Sequence, residues 1–211
     1  MIWMICVPLA GNGCRVIEFL NIKSKPAKIF GELYDLAFLQ RQANIEACCV
    51  SLVSSSGYPT SRMVNIKSMN DTILNFYTNY KSSKAKDINF SNKISCVFYW
   101  PSTRTQIRIS GIISKISNDE SDLHFSKRTK EKNAIAISSM QSKKISSFEE
   151  VVDNYTNALK SSNLSERPSY WGGYKILPNY FEFWEGHDSR LNKRTVYIKD
   201  VNDWQSFTLQ P

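Results

Sequence analysis

Apolar residues recur along the chain with two different periods, and the alternation of those periods divides it into helices and strands. Between Pro26 and Gln42, the residues Ile29, Phe30, Leu33, Leu36, Ala37 and Leu39 fall at helical spacing and predict a first helix. Glu46–Ser54 reads as a strand closed by a Ser55-Ser56-Gly57 turn. Ser61–Lys67 predicts a second strand, with Met63, Val64 and Ile66 as its apolar bulk. An Asn70-Asp71 turn leads into the return strand Ile73–Tyr80, which is rich in β-branched and aromatic residues. Lys84–Phe90 is short and helical, and Ile94–Trp100 is a strongly apolar strand that stops at Pro101. Gln106–Ile116 then alternates, setting Gln106, Arg108 and Ser110 against Ile107 and Ile109.

The second half opens with Ser117 and Glu120, the signature of a capping box. A helix running on to Lys132 would place His124, Arg128 and Lys132 at i, i+4 and i+8 on one face. Phe148–Ser161 predicts another helix, followed by a loop at Ser162–Ser169. Strands return at Tyr174–Trp184, Arg194–Lys199 and Trp204–Leu209. No internal repeat, heptad series or low-complexity segment is present. About seven strands with a few helices describe a mainly β fold with helical additions, a small Greek-key-like barrel.

Size and charge narrow the picture. At 211 residues the chain suffices for one domain with a real core, and 42% hydrophobic with 12% aromatic residues marks a globular protein. A formal charge of +8 points to an anionic partner: nucleic acid, a membrane surface or a phosphorylated small molecule. Five cysteines without regular spacing, two histidines and no CxxC argue against zinc and for a reducing, cytoplasmic setting. Cys48 and Cys49 are adjacent on a strand, point to opposite faces and make poor disulfide partners. Met1–Ala10 is apolar, but it lacks a basic n-region, is interrupted by Pro8 and is too short to span a bilayer; a signal peptide with an apolar core at the lower length limit, or another leader, is the alternative to a plain extension.

Two stretches carry candidate chemistry. The cationic strand around Arg62, the aromatic strand at Phe76-Tyr77 and the Ser/Lys-rich start of the next helix form a cradle for an aromatic anion, or else a solvated amphipathic hairpin. In the second stretch, His124, Arg128 and Lys132 repel one another unless an anion lies over them; the alternative is a solvated basic face.

Several motifs, taken in order, resemble the pyridoxamine 5′-phosphate oxidase family. They are Ser61-Arg62-Met63-Val64 with Lys67, Phe76-Tyr77-Thr78-Asn79 with Ser82 and Lys84, Phe98-Tyr99-Trp100-Pro101, and Gln106-Ile107-Arg108-Ile109. Gln141-Ser142, Trp171-Gly172-Gly173-Tyr174, Phe183-Trp184-Glu185-Gly186 and Arg190-Leu191-Asn192-Lys193-Arg194 complete the series. The likeness begins near Lys25 and runs with few gaps to Pro211, leaving residues 1–22 as an extension of unassigned role before a single domain at 23–211.

The resemblance implies an FMN-binding split β-barrel, a homodimer with the flavin at the subunit interface. It implies oxidation of pyridoxamine or pyridoxine 5′-phosphate to pyridoxal 5′-phosphate, with dioxygen as acceptor and hydrogen peroxide released. By position it assigns Arg62, Met63, Val64, Asn65, Tyr77, Thr78, Lys84, Gln106, Gln141, Ser142, Trp184 and Arg194 to the cofactor. Lys67, His124, Arg128, Lys132, Arg190, Leu191 and Asn192 fall to the substrate, with Arg190 nearest the reacting carbon as the catalytic group. Strand alternation agrees, because Arg62 and Lys67 lie on opposite faces and suit two separate anions. Tyr77 and Trp184 offer flat surface to the flavin ring or, equally, to ordinary core packing.

The departures from the family pattern are specific. Ser83 stands where the family has Arg, His124 where it has Tyr, Lys132 where it has Ser, Asn192 where it has His and Lys193 where it has Asp. Asn192 does not titrate near neutral pH, so a second reading is a flavin-binding split barrel whose substrate site has drifted. A third, a basic nucleic-acid module, fits poorly, since the cations are scattered and the aromatics sit on apolar strands.

Overall fold

A computed structural model describes residues 16–211 apart from Asn202; the apolar Met1–Ala10 stretch lies outside the described residues. Ten strands and five α-helices appear among those residues. The first half holds β1 (Glu18–Leu20), α1 (Lys25–Leu39), β2 (Ala47–Val53), β3 (Pro59–Asn65), β4 (Ser68–Asn70), β5 (Ile73–Asn79), α2 (Ser83–Phe90) and β6 (Lys93–Trp100). After a 3-10 turn at Pro101–Thr103 come β7 (Thr105–Lys115), α3 (Asn118–Ser126), α4 (Lys130–Ser138), α5 (Phe148–Ser161), β8 (Trp171–Glu185), β9 (Lys193–Lys199) and β10 (Trp204–Leu209).

The strands run β1-β4-β5-β8-β7-β6-β2-β3 across one sheet, with β9 on β8 and β10 on β9. The sheet curls until β3 returns against β5, which closes a half-barrel. β8 makes this a split barrel: Trp171–Ile176 pairs with β5, whereas Tyr180–Glu185 pairs with β9. The changeover coincides with a bulge, where Gly111 faces Pro178 and the β7–β8 register shifts. A Cβ on Gly111 would collide with the Leu177 carbonyl, so only glycine lets the two backbones approach there.

Helix α1 seals the barrel. Its apolar stripe buries Phe30, Tyr34 and Ala37 completely. Phe30 packs edge-on against Phe98 at 5.2 Å and against Trp100 at 5.7 Å. The Trp100 indole N–H is satisfied by the Ile45 carbonyl at 3.1 Å.

Among the described residues ahead of 23, Ile17 is fully buried and β1 pairs in parallel with β4. Two sequence expectations change. The strand expected over Ser61–Lys67 ends at Asn65, and the short β4 follows. The helix expected from Ser117 to Lys132 is two helices. Its capping box forms as read, but Thr129 caps a new helix by accepting the Lys132 amide hydrogen at 3.4 Å. His124, Arg128 and Lys132 therefore do not share one helix face; they straddle a corner.

Candidate functional site

The first cluster forms where β3, β5, the start of α2 and the loop after α4 meet. Lys84 is buried at the N-terminus of α2, and its ammonium donates to Thr78 Oγ1 at 2.7 Å, Ser82 Oγ at 3.1 Å and Gln141 Oε1 at 3.3 Å. Burial, with the nearby Arg62 charge, pushes its pKa down to about 8. Ser142, in a left-handed conformation, accepts from the Ser83 amide at 3.3 Å. Asn79 ties β5 to the same loop through the Ser139 carbonyl at 3.2 Å. Arg62 approaches with both terminal nitrogens 3.3 Å from Asp87 Oδ2, which also accepts from Thr60 Oγ1 at 2.8 Å. Arg62, Thr78, Lys84, Gln141 and Ser142 thus converge at a helix N-terminus, where amide hydrogens and cations face the same space. The Val64 side chain is in the core, while Met63 and Asn65 project from the opposite, exposed face of β3.

The second cluster lies one residue away on β5, on its other face. Tyr77 stacks on the His124 imidazole, ring centroids 3.6 Å apart and planes within 4°. That ring face is therefore taken, and it does not offer the free flat surface expected from sequence. The Arg128 guanidinium lies over Trp171 at 4.4 Å and donates to the Lys132 carbonyl at 2.6 Å. Its Nε is buried without a hydrogen-bond partner among the described residues. Burial first, then Arg128, Lys67 and Lys127, push the His124 pKa down to about 4, so the ring is neutral at pH 7. Lys67 titrates below the ordinary lysine value chiefly because it is desolvated; Glu46 pulls the other way, and Lys132 and Arg128 add to the lowering. Four potential cations from two helices and two loops meet here, and an orphaned Arg donor among them calls for an anionic acceptor.

The third group stands elsewhere. Gln106, Trp184 and Arg194 are direct neighbours across β7, β8 and β9. The loop beyond Trp184 presents Arg190, Leu191 and Asn192 at the surface, with Arg190 held left-handed at φ 59°. The Asn192 side chain accepts the His187 amide hydrogen at 3.1 Å, and His187 Nδ1 accepts that of Ser189 at 3.2 Å. Thr78 pairs with Gly172 at one end of β8 and Gln106 with Trp184 at the other. These anchor points are separated by on the order of 40 Å of strand contour.

Sequence reasoning quoted Ser82 and Trp171 within motifs but gave them no role, and it missed Asp87, Glu182 and Gln210. Asp87 and Glu182 are acids that neutralise the site's own arginines, a pairing without any fixed sequence spacing. Among the described residues, no cluster of three metal-ligating side chains exists and no helix is long and apolar enough to cross a membrane.

Comparison with known proteins places this geometry. The family model described as pyridoxamine 5′-phosphate oxidase matches residues 36–159, and one described as the pyridoxine 5′-phosphate oxidase C-terminal dimerisation region matches 171–211. A pyridoxine/pyridoxamine 5′-phosphate oxidase of Cytophaga hutchinsonii is 38% identical over 201 residues, covering 93% of this chain and 94% of its own. PhzG from Burkholderia lata, solved with tetrahydrophenazine-1-carboxylic acid, superposes with a TM-score of 0.85 at 28% identity, over 90% of this chain and 94% of its own. An FMN-binding, pyridoxamine 5′-phosphate oxidase-related protein of Nostoc punctiforme shares the fold with a TM-score of 0.70 at 17% identity, over 85% and 96%. The split barrel, the two family models and the relatives covering nearly the whole length agree: this chain belongs to the pyridoxamine 5′-phosphate oxidase family.

Proposed function

We propose that the protein is an FMN-dependent oxidase of pyridoxamine or pyridoxine 5′-phosphate, working as a homodimer. The residues present fit the cofactor. A buried Lys84 with its charge intact near neutral pH, the α2 N-terminus and Arg62 suit the flavin phosphate. Gln106, Trp184 and Arg194 suit its ring. One protomer holds these two sets at opposite ends of β8, so a complete site takes the cradle of one subunit and the Gln106–Trp184–Arg194 row of the other. The match of 171–211 to a dimerisation region supports that arrangement. Bound flavin would accept the hydride equivalent leaving the substrate C4′ carbon, the amine or hydroxyl would release the second proton, and dioxygen would take two electrons and two protons as hydrogen peroxide; for the amine, water would complete the conversion to the aldehyde with release of ammonia.

The protein's own part is binding and orientation. Arg128, Lys132 and Lys67 grip the substrate phosphate, with neutral His124 as a further hydrogen-bonding partner. Arg190, Leu191 and Asn192 of the partner subunit cover the ring, with the Arg190 cation orienting it. Arg190 acts as a fixed donor, since a guanidinium does not give up its proton. Orientation of the reacting carbon is the main catalytic contribution open to such residues.

The single observation that carries this reading is the second cation cluster, with its buried, unpartnered Arg128 Nε, beside the cofactor cradle. Anaerobic mixing of the flavin-loaded protein with pyridoxamine 5′-phosphate should bleach the visible flavin band, and air should restore it with release of peroxide. Unphosphorylated pyridoxamine at the same concentration should act far more slowly. Persistence of the band with both phosphorylated vitamers would reject the assignment. A second reading, a flavin protein with another ring substrate, is favoured by Asn192 and Lys193 and by the phenazine ligand of the PhzG structure. Bleaching by a reduced phenazine carboxylate but not by the vitamers would select it.

A further inference from the structure

Arg194 reaches its position through an arrangement that spans three strands and the segment after β10. Its Nε donates to Glu182 Oε1 at 2.8 Å, and its Nη2 stands 2.8 Å from the same oxygen. Its Nη1 donates to the main-chain carbonyl of Gln210 at 3.1 Å. The other carboxylate oxygen, Glu182 Oε2, takes Arg108 Nη1 at 2.8 Å and the Tyr180 hydroxyl at 2.8 Å. Glu182 is 2% exposed although it is a charged group on a strand. Burial alone would raise its pKa, but hydrogen bonds from Tyr180 and Arg194 and the charges of Arg108 and Arg194 hold it below the ordinary carboxylate value.

Strand alternation puts Glu182 on the face of Trp184, whereas Phe181 and Phe183 point the other way into the core. Glu182 is therefore the floor of the Gln106–Trp184–Arg194 row and no part of the barrel interior. A buried carboxylate between two arginines is a poor source of net stability, because desolvation consumes most of the attraction. What it does secure is geometry. Of the five guanidinium N–H groups, Glu182 engages that of Nε and one of Nη2 and the Gln210 carbonyl engages one of Nη1, which leaves one hydrogen on each Nη atom for a ligand.

We infer that Glu182 and the Gln210 carbonyl are positioning groups that lock the Arg194 guanidinium before the flavin arrives. The inference rests on the reading of Arg194 as a cofactor contact. It adds that the Gln210 main chain, sixteen residues beyond Arg194, belongs to the cofactor site.

A double-mutant cycle tests it. FMN dissociation constants and the two-electron potential of the bound flavin are measured for the full chain, for Glu182→Gln, for a chain ending at Leu209, for Arg194→Ala, and for each of the first two changes combined with Arg194→Ala. Glu182→Gln and the shortened chain should each weaken FMN binding about five- to twentyfold and shift the potential in the same direction as Arg194→Ala. In the Arg194→Ala background, neither should have a further effect. Equal losses in both backgrounds would reduce the brace to a structural or dimer-stabilising role and overturn it. Unchanged affinity in the shortened chain, with Arg194→Ala impaired, would overturn the brace and leave the cofactor reading standing. Unchanged affinity in Arg194→Ala would remove both. Should Glu182→Gln fail to fold, the shortened chain still decides the matter.

Discussion

Lys84 is almost inaccessible yet must hold a charge, and that tension fixes its pH behaviour. Its pKa is lowered to about 8 from 10.5, by burial first and then by Arg62. A dianionic phosphate beside it favours the ammonium form, so cofactor binding above pH 8 takes up a proton. FMN affinity should therefore fall as pH rises past about 8, by at most about tenfold per pH unit, in fluorescence-quenching titrations between roughly pH 6.5 and 9.5. Lys84→Met should flatten that dependence and weaken binding at pH 7 by on the order of tenfold or more. The linkage for folding has the opposite sense. Between about 8 and 10.5 the unfolded chain binds more protons at this residue, so the cofactor-free protein gains stability from Lys84 across that window. Arg62, the other cation of the proposed cradle, is already engaged by the Asp87 carboxylate at 3.3 Å.

Among the elements, the corner between α3 and α4 does the most for the proposed substrate site. A continuous helix would spread His124, Arg128 and Lys132 over about 12 Å along its axis. The break at Thr129 lets the Arg128 guanidinium fold back over Trp171 and donate to the Lys132 carbonyl. Thr129→Ala should cost about 1 kcal/mol of stability in urea denaturation, as the loss of an N-cap does. It should also raise KM for the phosphorylated substrate several-fold, with kcat nearly unchanged. A KM equal to that of the full chain would show that Arg128 is held by its stacking alone. The paired glycines at the start of β8 act in a similar way. Cβ atoms on Gly172 and Gly173 would strike Tyr80, Tyr77 and Ile116, the side chains that frame this corner.

At the scale of the whole molecule, the proposed site is shared between two subunits. Thr78 of the phosphate cradle and the Gln106–Trp184–Arg194 row are anchored at the two ends of β8. Chains carrying Lys84→Ala and chains carrying Trp184→Ala should each be nearly inactive alone. Unfolded together and refolded as a mixture, they should recover about a quarter of full activity, because half of the dimers are mixed and each has one intact site. No recovery, with mixed dimers confirmed by mass, would place a complete site within one subunit.

The periods of hydrophobic residues were enough to find the helices and the longer strands, because burial on one face writes itself directly into spacing. The motif series carried the family and the roster of cations. The three-residue strands β1 and β4 left no period to read, since so short a segment cannot alternate visibly. The break at Thr129 was hidden because a capping threonine looks like any polar residue on a helix surface. Side-chain partners were further from reach: Arg62 on β3 meets Asp87 only when α2 packs beside it, and Arg194 meets Glu182 only when β9 pairs with β8. Local order thus supplied the residue types and their elements. Three-dimensional packing alone settled which charges pair with which, and that Thr78 and the Gln106–Trp184–Arg194 row are anchored at opposite ends of β8.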